Sequence, residues 1–388
     1  MRQVYLDHMA AMPVRQEALD AMMPYFREHF GNPLSLHDYG EAPREALEKA
    51  RAQVASLIGA QEREIYFTSS GSEANNLALK GVMFQNAKQG KHLVVSQIEH
   101  HSVLNSALTL QKLGYETTFV PVDRHGLVEP EQVAAAVRDD TILVSIIHAS
   151  NEVGTIEPIA EISRLVKRKN KGVLVHTDAV QTAGTIPVNV DELGVDLLSL
   201  AGNAFYGPKG AAALYIRRGT RIMPLIDGGI QEGGRRSGTE NVPAIVGLGV
   251  AAELARQEMP QRIAHLSALR DQLIAGLTAI DHVYLTGHPT ARLPGLVSVV
   301  VEYVEGEAML LLLNMNRIAA SSGSTCTSRA LKASHVLTAL GLDAALAQGS
   351  LVFSLGMDNS HEDIAYVLQV FPPIVERLRA MSPLYKRS

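Results

Sequence analysis

Tryptophan is absent from these 388 residues, and all aromatics together make up 5%. That leaves little material for a stacking platform on which a nucleic-acid strand could lie. An excess of one charge is lacking too. Lys+Arg number 35 against 40 Asp+Glu, a net charge of −5, so neither nucleic acid nor a membrane surface is an expected partner. Cysteine occurs once, as Cys326, which excludes an internal disulfide and any all-thiolate metal site within one chain. A lone thiol suits a reducing compartment, so the expected location is cytoplasmic. No apolar run reaches the length of a membrane span. The opening MRQVYLDHMAAMP carries early acidic and polar residues and no sustained apolar stretch, unlike a secretory signal. Internal repeats and low-complexity segments are missing.

What is there is apolar and regularly patterned. Hydrophobic residues make up 46%, enough for a sizeable core in two domains or one large one with an appendage. Short apolar runs near 64–67, 93–96, 117–122, 141–147, 173–175, 197–200 and 211–216 predict strands. Amphipathic stretches between them predict helices, the strongest over 43–58 with Leu47, Ala50, Val54 and Ile58 on one face. The alternation predicts an α/β fold with a mostly parallel, doubly wound sheet. Prolines mark expected interruptions: a kink at Pro24, a boundary at Pro260 between helices over 242–257 and 262–280, and a break at Pro372-Pro373. Residues 13–256 are expected to form the large domain. Residues 257–388, with the arm 1–12, form the small one.

The chain is organised around 172–210. Two buried runs there end in polar residues, and in open α/β sheets ligands sit at strand ends. The first run ends at Asp178, with Gln181 just beyond. The second ends at Ala201-Gly202-Asn203-Ala204 and is followed by the turn Tyr206-Gly207-Pro208-Lys209-Gly210. Upstream, Gly71-Ser72 opens a predicted helix. This arrangement suits either an ordinary helix cap or a phosphate cradle of backbone N–H groups. His100 lies in the Glu99-His100-His101-Ser102 turn, and Asn151 follows the strand over 141–147. A glycine-rich basic loop over 227–241 contains Arg236-Ser237-Gly238-Thr239. Cys326 sits in Ser321-Ser322-Gly323-Ser324-Thr325-Cys326-Thr327-Ser328, polar surroundings that favour an exposed thiol over a buried one.

Taken in order, these motifs resemble the cysteine desulfurases of the NifS/IscS type, in the class V aminotransferase group, over nearly the whole chain. The resemblance implies a PLP-transferase fold (aspartate-aminotransferase-like), a smaller α+β domain carrying the Cys326 loop, and a homodimer. It implies pyridoxal 5'-phosphate (PLP) as cofactor. Gly71 and Ser72 would lie on the phosphate, His100 on the ring face, Asp178 on the ring nitrogen, and Asn151 and Gln181 near the phenolic oxygen. Thr239 would reach a partner's phosphate, although Ile230 and Gly233 depart from the family loop. Cys326 would accept sulfur from L-cysteine as a persulfide, with His100 as the other catalytic group. An iron–sulfur scaffold or a sulfur-acceptor protein would be the downstream partner.

The departures fall on the same pocket. Where the family carries Ser-x-His-Lys, this chain has Ala201-Gly202-Asn203-Ala204, so the Schiff-base lysine is Ala204. Lys209 belongs to the turn that the family carries besides its lysine. The carboxylate-clamping arginine is Val352, and Met9, Ala11 and Met12 replace smaller or hydroxylated residues. PLP is therefore expected to bind weakly and non-covalently. Three functions follow as expectations: a divergent desulfurase still passing sulfur through Cys326, a non-catalytic scaffold or persulfide relay, and Cys326 as a metal or cluster ligand shared with a partner chain.

Overall fold

The computed structural model describes residues 2–323, 333–383 and 385. The arm forms β1 (Val4–Tyr5). The seven strands that follow are β2 (Ile65–Thr68), β3 (His92–Ser96), β4 (Glu116–Val120), β5 (Thr141–Ser145), β6 (Leu174–Asp178), β7 (Leu197–Ala201) and β8 (Ala212–Ile216). They build one sheet in the order β2-β8-β7-β6-β5-β3-β4. All neighbours are parallel except β8, which runs antiparallel to both β2 and β7. Strands β3, β5, β7 and β8 are buried along their whole length, the burial expected where helices cover both faces. A buried histidine ties the central strands together: His176 on β6 reaches Ser145 on β5 (2.8 Å) and Ser199 on β7 (3.0 Å). Burial pushes its titration down to about 3, so the ring is neutral there.

The C-terminal part adds β9 (Val283–Leu285), β10 (Leu296–Val301), β11 (Ile318–Ala319) and β12 (Ser350–Ser354). Strands β12-β10-β9 form an antiparallel sheet, and β1 pairs in parallel with β11. The N-terminal arm is thus stitched into the C-terminal part. The fold is the mixed α/β architecture expected, with a mostly parallel central sheet.

The prolines behave differently from expectation. Pro24 does divide Gln16–Met22 from Pro24–Arg27. Pro260, however, lies inside one helix, Val242–Thr278, and Pro372-Pro373 lie inside His361–Met381. A proline deletes one backbone hydrogen bond and bends the helix. Here packing on both sides holds the turns together. The first half of the long helix, through Met259, belongs to the core around the large sheet, and Leu266, Leu269, Leu273 and Leu277 belong to a second core over β10 and β12. We place the division between large and small parts at 256/257 on this helix, as a proposal. Among the described residues, no helix is long and apolar enough to cross a membrane.

Candidate functional site

The C-terminal ends of β6 and β7 and the N-terminus of the Gly71–Gln85 helix converge on a cavity of about 240 Å³. Gly71, Ser72, His100, Asn151, Asp178 and Gln181 all line it, together with Asn75, Ala201 and Asn203. Six of the residues singled out in the sequence therefore meet at one place. Thr239 is exposed and does not line the cavity of its own chain. Cys326 falls outside the described residues.

The helix start explains the cradle. Ser70 is the cap, its hydroxyl accepting from the Glu73 N–H at 3.1 Å. At Gly71 an added Cβ would sit 2.6 Å from a Val180 methyl, so only glycine lets this backbone come so close to the β6 end. The Gly71 and Ser72 segment borders the cavity, so the positive end of a four-turn helix faces it.

Asp178 ends β6 and is 4% exposed. Its carboxylate accepts from Asn75 Nδ2 at 2.6 Å and from the Val180 N–H at 3.0 Å. Burial raises its proton affinity, opposed by His100 and these two donors. Among the described residues it has no lysine or arginine partner. His100 caps the His101–Lys112 helix, with Nδ1 accepting from the Ser102 N–H at 3.1 Å.

Ala204 closes the short helical turn Gly202–Ala204 after β7 and is 5% exposed, packed in the main core beside Phe205. It borders a smaller apolar cleft with Met9, Met12 and Gln181, and Met9 and Gln181 line both spaces. Among the described residues no lysine or arginine lines the 240 Å³ cavity. Lys209 is exposed and lines neither. Val352 is buried in a cluster with Ala149, Leu293 and Leu296, against which Met9 and Ile156 pack. Its backbone exchanges two hydrogen bonds with Ser321, at 2.7 and 3.0 Å. The methionines thus occupy the region between positions 204 and 352 with thioether and methyl groups.

The comparisons with known proteins agree with this fold. The family model described as Aminotransferase class-V matches residues 4–367. The chain belongs to the class-V aminotransferase family. It is 51% identical to "Cysteine desulfurase IscS" of Methanosarcina thermophila over 98% of this chain and 94% of that one. It is also 51% identical to "Cysteine desulfurase IscS" of Dictyoglomus turgidum, over 100% and 98%. Among solved structures it resembles a "NIFS-LIKE PROTEIN" with a TM-score of 0.92 and 39% identity, over 97% of this chain and 100% of that one.

The class-V family is PLP-dependent, and the cavity can be tested for that group. A buried carboxylate without a cation, Asp178, suits a protonated pyridine nitrogen. The glycine-edged helix start suits a phosphate. Among the described residues no amine lines the cavity, so none of them offers the covalent link. The residues present accommodate a ring and a phosphate, and lack the groups that would anchor the cofactor or clamp an amino-acid carboxylate.

Three residues that act on this site were not legible beforehand. Asn75 and Ser102 bind Asp178 and His100 across gaps of 103 and 2 residues. Glu99 is fully buried, and its Oε1 accepts from Ser96 Oγ at 2.6 Å and the Ile147 N–H at 2.8 Å. Its Oε2 has no partner among the described residues, as is also true of Oε1 of the buried Glu157. Burial pushes Glu99 up to about 8, against the pull of those donors and with the Asp178 charge adding to the rise.

A carboxyl raised above its unfolded value contributes stability in full below the unfolded value, and loses it as pH climbs toward the folded one. Between pH 6 and pH 8 this residue is expected to cost about 2–3 kcal/mol. Glu99→Gln, which mimics the protonated form, should therefore flatten the decline in unfolding free energy over that interval. Denaturant titrations at the two pH values check this. An equally steep decline in the variant would show that Glu99 is already ionised in the folded protein.

Proposed function

We propose that the chain is a cysteine desulfurase-like sulfur-transfer protein, serving iron–sulfur cluster assembly, in which the family's PLP chemistry is disabled. It relays or scaffolds sulfur delivered to it. The observation that carries this reading is Ala204, buried in the turn after β7, while no amine among the described residues lines the neighbouring cavity. The absent lysine would both bind the cofactor and move protons, and one positioned acid–base group is typically worth ~10²–10⁴ in rate. Val352 offers L-cysteine no carboxylate clamp, because its surroundings are apolar. Asparagine and alanine at 203 and 201 also remove a charged or hydroxylic contact each, worth roughly 1.5–3 kcal/mol apiece. PLP binding is then weak and non-covalent, held by Gly71, Ser72, His100, Asn151, Asp178 and Gln181.

Cys326 is the sulfur acceptor in this reading, and His100 is the other catalytic group. The Cys326 thiolate attacks the outer sulfur of an incoming persulfide, the donor leaves as a thiolate, and Cys326 holds the persulfide. A second copy is the structural partner. Phe26, Phe30, Leu36 and Tyr39 are more than half exposed on the N-terminal segment, as is Ile230 on the loop that carries Thr239. A surface this apolar favours association, and Thr239 would then serve the partner's phosphate. A monomer by light scattering would overturn the dimer. The lone thiol supports a cytoplasmic location.

Incubation with glutathione persulfide labelled in its outer sulfur tests the relay. Stoichiometric label is expected on the wild-type protein and none on Cys326→Ala, with no alanine formed from L-cysteine and added PLP. Alanine release that depends on Cys326 would restore the desulfurase reading and sink the relay.

A further inference from the structure

The hydrogen bonds around His100 have only one consistent direction. The Asn75 amide nitrogen lies 2.6 Å from Asp178 Oδ2 and 2.8 Å from Ser102 Oγ. An NH₂ group has two hydrogens, so one goes to each oxygen. Ser102 Oγ, accepting from Asn75, has a single hydrogen of its own, and His100 Nδ1 lies 2.7 Å away. The Ser102 backbone N–H also points at Nδ1, at 3.1 Å. Two donors therefore converge on Nδ1, and no room is left for a hydrogen on that nitrogen. Turning the Asn75 amide over would place its oxygen against Asp178, with nothing to donate between them while Asp178 is ionised; in the orientation present, Asn75 Oδ1 is buried without a partner among the described residues.

We propose that Asn75 and Ser102 are positioning residues that lock His100 as the Nε2–H tautomer, so that it meets a cavity occupant as a hydrogen-bond donor and not as a base. The chain Asp178–Asn75–Ser102–His100 carries the orientation from the buried carboxylate to the imidazole. Among the described residues Nε2 has no hydrogen-bond partner. With the cavity's serine hydroxyls and the helix start at Gly71, the donors face one anionic group, Asp178. The occupant this favours presents acceptor atoms to His100 and a protonated nitrogen to Asp178. The inference rests on the geometry at His100 and stands whether or not Cys326 relays sulfur.

Long-range ¹H–¹⁵N spectra of histidine-labelled protein at pH 8 read the tautomer directly, with His100→Gln assigning the signal and no ligand needed. The expected pattern is a pyrrole-like Nε2 and a pyridine-like Nδ1. In Ser102→Ala and Asn75→Ala both nitrogens should shift part of the way toward an averaged position, because the residue-102 backbone N–H still donates to Nδ1, and Ser102→Thr should restore the wild-type pattern. A hydrogen on Nδ1 in the wild-type protein would overturn the proposal. So would shifts in both alanine variants identical to wild type, since Asn75 and Ser102 would then have no hold on the ring.

Discussion

Ala204→Lys is expected to turn a protein that loses PLP on desalting into one that keeps it, visibly coloured. The cofactor link needs an amine at the end of β7, and the cleft beside Ala204 is bounded by flexible methionines, Met9 and Met12, which can yield to a longer chain. The ring-facing residues are already in place, with Asp178 buried and the helix start free of a Cβ at Gly71. Turnover of L-cysteine should not follow from this change alone, because Val352 lies among Ala149, Leu293 and Leu296 and clamps nothing. Adding Val352→Arg, with Met9→Ala to make room, should raise alanine formation at least ~10²-fold over wild type. A folded Ala204→Lys protein that still releases all its PLP would mean that the cavity has lost more than its lysine.

The second large effect concerns the loop that carries Thr239. The structure places a buried anchor within this glycine-rich stretch. Glu232 is held by Arg51 through two bonds of 2.8 and 2.9 Å, with side-chain exposures of 2% and 12%. It also accepts from the Phe67 N–H at 2.8 Å, and the Arg51 guanidinium lies 4.7 Å over the Phe67 ring. Glu232→Ala would leave the Phe67 N–H without its acceptor and the Arg51 guanidinium with only the Ile65 carbonyl at 2.8 Å and Glu48 at 3.3 Å, a loss of about 3 kcal/mol. Arg51→Leu combined with Glu232→Ala should recover part of it, since no charge then remains unpaired. Denaturant unfolding of the two single variants and the double closes the cycle. A cost under about 1 kcal/mol for Glu232→Ala would show that the pair is solvated and the loop unanchored.

The legible parts of the fold were those written in local pattern. Apolar runs marked the seven strands of the large sheet to within a few residues, because parallel strands covered on both faces are apolar throughout. Strand ends then located Asp178 and Gln181, and the glycine before Ser72 located the cradle. Strands β1 and β9 were missed, because they are two and three residues long and owe their existence to distant partners. Pro260 misled for a related reason: a local breaker was overruled by packing on both halves of one helix. Asn75 carries no signal either. It reads as one more polar residue on a helix until the fold brings Asp178 and Ser102 to its amide. Val352 was conspicuous only against the family pattern. Its apolar neighbours show why valine is stable there.

We propose that this cavity no longer holds PLP as a working cofactor. The most direct test is the visible absorbance of wild-type protein incubated with PLP, desalted, and read before and after L-cysteine. A colourless protein, unchanged by L-cysteine, is the result expected of a pocket with Ala204 and Val352 at its two key positions. A retained band that shifts when L-cysteine is added would contradict the account and return the protein to the working desulfurases.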